Sequence, residues 1–198
     1  MPGNTSAADV ALGFRVKSGW ALAVLVTGSR DDVQVRQRQR IELSDAKVPE
    51  SYQPYHAGMG NLQTDETKIK RLRKLISAAT THSFSRLIKE CSDGGHHIGA
   101  VGLVVGSDID PDRITNPHIR AHALEGRLFR TCLEDAARSC DLPCSALLER
   151  HIYKQAAAIL KRSESDLKKR VTELGRAFGG PWRAEEKTAC LAAWLALG

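Results

Sequence analysis

The stretch Leu12-Gly13-Phe14-Arg15-Val16-Lys17-Ser18-Gly19-Trp20-Ala21-Leu22-Ala23-Val24-Leu25-Val26 holds two apolar runs separated by a short polar turn. Each run has the length of a strand, and glycine in the turn supplies the backbone freedom that a tight hairpin demands. Two antiparallel strands are therefore expected over 12–16 and 20–27. A second turn follows over 28–32. Beyond it, 33–43 alternates, with Val33, Val35, Ile41 and Leu43 on one face and Arg36, Arg38, Arg40 and Glu42 on the other. This predicts a half-buried third strand and so a three-strand antiparallel meander.

Working outward, 44–63 contains Pro49, Pro54, Gly58 and Gly60 among Tyr52, Tyr55 and His56, the composition of a long loop. Thr64 and Asp65 are cap candidates for a helix running to about residue 90, with Ile69, Leu72, Leu75 and Ile76 at core-facing spacing. Gly94 and Gly95 end it. The run 98–105 is apolar without alternation, which predicts a strand covered by helices on both sides. A loop over 108–117 leads to a helix over 118–139 carrying Ile119, Ala123, Leu124, Leu128, Leu133 and Ala137, stopped by Pro143. The segment 145–153 fits a strand, while Leu147, Leu148, Ile152 and Ala156 also fit a helical stripe, so both readings stay open. Ser163 with Asp166 opens a helix to Phe178, and Gly179-Gly180-Pro181 separates it from a last helix over 184–197.

At 198 residues, 42% hydrophobic and 26% charged, the chain has the make-up of an ordinary globular domain and can bury a substantial core. The polar start over 1–10 is expected to be a disordered leader, with one domain over 11–198. The longest apolar run, 20–26, is too short to cross a bilayer. With that run too short and the start unlike a secretory signal, a cytoplasmic location is expected, and the five cysteines, Cys91, Cys132, Cys140, Cys144 and Cys190, form an odd, unpatterned set that points to reduced thiols. A net charge of +6 is compatible with an anionic partner, DNA or RNA, without requiring one.

The element order resembles the ribonuclease H fold and, within it, the RuvC-like resolvases. The segment from Leu12 to Gly19 stands where that branch carries Leu-Gly-Ile-Asp-Pro-Gly, and His122-Ala123-Leu124-Glu125-Gly126 through Pro143 resembles its next-to-last helix and turn. Lys168 to Gly175 resembles the basic helix entry. Ala184-Glu185-Glu186-Lys187-Thr188-Ala189-Cys190-Leu191-Ala192 resembles the closing Asp-Ala-x-Asp-Ala-Leu-Ala pattern. The resemblance implies an α/β mixed sheet, a meander plus parallel strands, flanked by helices. It also implies carboxylates grouped around two divalent ions that clamp the attacking and leaving oxygens of a phosphodiester.

At the centre of that pattern this chain departs from it. Arg15 stands in place of the first-strand Asp, and a guanidinium cannot ligate a metal. On the middle strand Val104, Val105, Gly106 and Ser107 stand where the family places a Glu, with Asp108 and Asp110 just beyond. Glu185 and Glu186 remain at the last helix. Arg15 is expected either to pair with Glu185 or Glu186 or to offer its fork to a phosphate.

The function expected is a catalytically degenerate scaffold binding nucleic acid or protein, through Arg15, Arg36, Arg38, Arg40, Lys68 and Arg71 in the first case. No cofactor is expected for it. The alternatives are an active metal-dependent nuclease, with Asp108, Asp110, Glu185 and Glu186 around Mg2+ or Mn2+, and a protein-interaction domain using 44–63.

Arg36, Arg38 and Arg40 recur about every 6.6 Å at a rise of about 3.3 Å per residue, which suits either a phosphate backbone or edge protection. Lys68, Lys70, Arg71, Arg73 and Lys74 crowd one helix start, as a solvated face or a nucleic-acid contact. His96 and His97 lack Cys-x-x-Cys or His-x-x-x-His spacing, Cys140 and Cys144 lack a second pair, and no metal ligand is expected. The glycines Gly94-Gly95 and Gly102-x-x-x-Gly106 lack the lysine of a phosphate-binding loop. Exposure of Trp20 or Trp182 would suggest base stacking.

Overall fold

The computed structural model describes residues 9–198, so that most of the expected leader over 1–10 lies outside the described residues. Strands β1 (Val10–Lys17), β2 (Trp20–Gly28) and β3 (Val33–Glu42) form the expected meander. Lys17 pairs with Trp20, which leaves Ser18 and Gly19 as the turn, and Gly19 takes a φ of +80° that a residue with a Cβ rarely adopts. Then come α1 (Glu66–Asp93), β4 (Ala100–Val105), α2 (Pro117–Ser139), β5 (Cys144–Leu148), α3 (Ile152–Leu160), α4 (Glu164–Phe178) and α5 (Ala184–Ala196). The sheet order is β3-β2-β1-β4-β5, with β4 parallel to both β1 and β5. Asp65 caps α1 by accepting from the Lys68 N–H, and Ser163 caps α4 in the same way through Asp166.

Helices cover both faces. Leu12, Phe14, Leu25, Ile41 and Leu103 pack with Phe84 of α1 and Phe129 of α2. Ala11, Val24, Val26 and Val104 pack on the other side with Ile152, Leu167 and Trp194 of α3, α4 and α5. The continuous apolar character of β4 follows from this double burial. On α2 the buried stripe runs through Ala121, Glu125, Leu128 and Cys132, whereas Ile119, expected in the core, is 55% exposed.

In β3 the expected face assignment is corrected. The register slips by one residue between Leu25 and Val26, which leaves Arg36 as an unpaired extra residue. A bulge of this kind exchanges the faces of everything beyond it. Val33 and Val35 accordingly face the α3–α5 layer, while Ile41 and Leu43 face α1 and α2.

The segment 145–153 is strand and helix in succession. β5 ends at Leu148, a 3-10 turn spans Glu149–His151, and α3 starts at Ile152. The segment 44–63 carries two 3-10 turns and a bridge between His56 and Leu62. It folds back onto the hairpin through Ser44 Oγ, which donates to the Gly19 carbonyl at 3.0 Å.

Helix α5 lies unusually deep in the sheet. Gly13 and Gly102 are register partners on β1 and β4, and a Cβ at Gly13 would sit 1.9 Å from the Ala189 carbonyl oxygen. One at Gly102 would sit 2.5 Å from that of Ala192. The two glycines make a slot two strands wide that receives the helix backbone itself. All five cysteines are free, and burial pushes the Cys190 thiol on α5 up to about 12.

Candidate functional site

Arg15 lies near the carboxyl end of β1, two residues beyond Gly13 and so on the α5 face of the sheet. Its side chain crosses the end of β4. Nε donates to Glu149 Oε1 at 3.0 Å, Nη2 donates to Glu149 Oε2, and Nη1 donates to the Val16 carbonyl at 2.7 Å. The residue is 4% exposed. The expected pairing with Glu185 or Glu186 is therefore corrected. The bidentate partner is Glu149, delivered by the turn after β5, and the fork expected for a phosphate is committed to that carboxylate.

The four candidate catalytic carboxylates each meet a cation. Arg130 on α2 donates to Asp108 and Arg127 to Asp110, both at 2.7 Å. The Arg127 hydrogen bond, then the backbone N–H of Asp112, holds the Asp110 carboxyl below its usual range. Glu185 lies 3.5 Å from Lys17 Nζ. Its own backbone N–H at the helix start, and then Lys17 and the more distant Arg15, keep its carboxyl low against the opposing effect of burial. Glu186 closes a capping box on α5 by accepting from the Arg183 N–H at 2.8 Å, and its other oxygen is 3.4 Å from Arg38. Among the described residues, no three of these four carboxylates come close enough together to share an ion.

The strand arginines do not form the single-faced row expected. Arg36 donates to Thr27 Oγ1 at 2.7 Å, on the Leu25 side of β2. Arg38 donates to the Pro181 carbonyl and lies 5.9 Å from the Phe178 ring, on the α4–α5 side. Arg40 bonds Glu42 and lies 4.5 Å over the Trp20 ring. Lys68 is 3.6 Å from Glu50. Lys70, Arg71 and Lys74 are exposed on α1 and, among the described residues, have no acidic group within 4.0 Å. Trp182 is half-buried, packs against Gly175 and donates to the Val171 carbonyl at 2.9 Å, and Trp20 is half-buried beneath Arg40.

A cavity of about 320 Å³ opens at the carboxyl ends of β1 and β4, where open α/β sheets place ligands. Arg15 and Lys17 give it a cationic wall, while Ile109, Ile119 and Phe129 line it with apolar surface. His122 borders it as well.

Two features escape the sequence reading. Glu149 is 134 residues from Arg15, with no local pattern to connect them. The second is a cluster of His56, His118 and His122 around Glu125, a carboxylate buried completely on α2. Its legible signal is His118-x-x-x-His122, one helical turn apart with Glu125 on the same side. His56 Nδ1 lies 2.7 Å from Glu125 Oε1, and His118 Nδ1 lies 3.3 Å from the Gly60 carbonyl. Burial pushes the Glu125 carboxyl up, opposed by His56, and burial, then His56 and His118, pushes the His122 imidazole down.

With strand order, crossovers and site position in hand, the architecture is ribonuclease H-like and, within that class, RuvC-like. RuvC from Thermus thermophilus in complex with a Holliday junction substrate superimposes with a TM-score of 0.57 at 12% identity, covering 94% of this chain and 90% of that one. A second Thermus thermophilus RuvC structure gives 0.55 at 8% identity, with 94% and 92% covered. The yeast mitochondrial Holliday junction resolvase Ydc2 gives 0.51 at 11% identity, covering 94% and 77%. At these identities the likeness is one of fold. No protein-family model and no curated protein matches the sequence.

Proposed function

We propose that this chain is a RuvC-like scaffold that binds nucleic acid without cleaving it by two-metal chemistry. The observation that carries the reading is the Arg15–Glu149 pair, which fills with a cation the place where the family pattern has its first-strand carboxylate. A buried guanidinium repels a divalent ion at close range, and the nearby acids are each already opposed by Lys17, Arg38, Arg127 or Arg130. These residues do not fit a pair of magnesium or manganese ions, and no catalytic step is assigned to them.

Binding is supported by the net charge of +6, by the exposed Lys70, Arg71 and Lys74, and by the likeness to a protein solved with a Holliday junction. The test is fluorescence anisotropy with a labelled four-way DNA junction, a DNA duplex and an RNA duplex. Affinity for one or more of them is expected to fall at least tenfold between about 50 and about 200 mM salt. Absence of salt-sensitive binding to all three removes the nucleic-acid reading in favour of a protein scaffold. The same substrates incubated with Mg2+ or Mn2+ should remain intact, whereas products that vanish in Glu186→Ala would establish an active nuclease.

A further inference from the structure

We infer that His56, His118 and His122 form a binding site for one transition-metal ion of the zinc class, which fastens the 44–63 segment to α2. This inference is independent of nucleic-acid binding.

Each imidazole offers one ring nitrogen, and these nitrogens all lie within 4.8 Å of one another. The hydrogen-bond network assigns the tautomers of His56 and His118. His56 donates through Nδ1 to Glu125 and His118 through Nδ1 to the Gly60 carbonyl, while His122 Nδ1 lies 3.6 Å from the second Glu125 oxygen. With Nδ1 donating on His56 and His118, Nε2 is the free lone pair on those two rings. Nε2 of His118 and Nε2 of His122 face each other at 3.2 Å, a separation that a proton on His122 bridges when no ion is bound. A metal ion that takes the place of that proton receives a lone pair from each ring.

Zinc–nitrogen bonds of about 2.0–2.1 Å in a tetrahedron place ligand nitrogens about 3.3 Å apart, so the pair on α2 already has the required spacing. Bringing in the third nitrogen takes a shift of about 1.5 Å at most.

His56 supplies a second, independent observation. Its side chain is only 10% exposed, and Nε2 is buried without a hydrogen-bond partner. Glu125 is 0% exposed, and its Oε2 likewise lacks a partner. An orphaned buried imidazole nitrogen is destabilising, and an orphaned buried carboxylate oxygen more so. A dication offsets both, and a carboxylate on Nδ1 with the metal on Nε2 is the usual support of a metal-bound histidine. Imidazole donors select zinc, cobalt, nickel or copper over magnesium and calcium. His118 and His122 are solvent-exposed, which leaves a fourth position for water.

The test uses the full chain. After chelation and dialysis against zinc, elemental analysis should find one zinc per chain, and cobalt substitution should give the intense visible bands of a tetrahedral site. Zinc should also raise the melting temperature. His118→Ala with His122→Ala, both at exposed positions, should abolish all three readouts while retaining the circular dichroism spectrum. Glu125→Gln should weaken zinc about 10–100-fold. Less than a tenth of an equivalent of zinc in the parent chain, with no zinc-dependent melting shift, overturns the inference. Retention of the metal by the folded double variant overturns it equally.

Discussion

At position 15 a guanidinium with 4% exposure holds both oxygens of a carboxylate whose own side chain is 39% exposed. Removing the acid strands the buried cation, although water reaching the vacated corner reduces the penalty. Glu149→Ala is expected to cost about 1–3 kcal/mol in urea unfolding. Arg15→Met in the Glu149→Ala background should recover most of that loss, because an apolar side chain of similar length needs no partner there. A double-mutant cycle measures the coupling, and a Glu149→Ala midpoint equal to the parent's would show that the pair contributes nothing. That Arg15 stands where the resembled resolvase pattern has an acid is a reading available only by comparison with that pattern. The true partner of Arg15 is not legible in the sequence, because the pairing is made by β5 returning beside β4, a consequence of topology rather than spacing. The same holds for His56, which the fold brings to His118 and His122 from the far end of α1.

Among the elements, α5 is the one whose placement depends most on what is missing from a side chain. Gly13→Ala would drive a methyl against backbone that cannot rotate away, so the helix must lift from the sheet. The expected loss is at least about 3 kcal/mol, or failure to fold. Gly126 on α2 has nothing within 4 Å of an added Cβ, and there Gly126→Ala should stabilise by about 0.5–1 kcal/mol. Opposite signs for one chemical change in a pair of denaturation curves check the slot directly.

The elements themselves are mostly readable from periodicity: three strands, the long helix, the double-buried strand and the capped α4. The segment 145–153 is ambiguous because a five-residue strand and a helix start lie end to end across one turn. The β3 bulge leaves the alternation of residue types intact while changing which face each residue meets, so no pattern in the sequence discloses it.

For the whole molecule, the proposed binding of nucleic acid can be tested at the exposed cations early on α1. Lys70→Glu, Arg71→Glu and Lys74→Glu together should weaken junction or duplex binding by more than tenfold. They should also flatten the slope of log affinity against log salt by about one for each phosphate that is no longer neutralised. Unchanged affinity and slope would move the binding surface away from α1. The outer border of the sheet has a different role. Because one surplus residue turns Arg36 toward one side while Arg38 and Arg40 stay on the other, a foreign strand seeking to lengthen the sheet along β3 must lay its greasy side across a guanidinium whichever way up it arrives. Fibrous growth from that flank is thereby discouraged in both orientations.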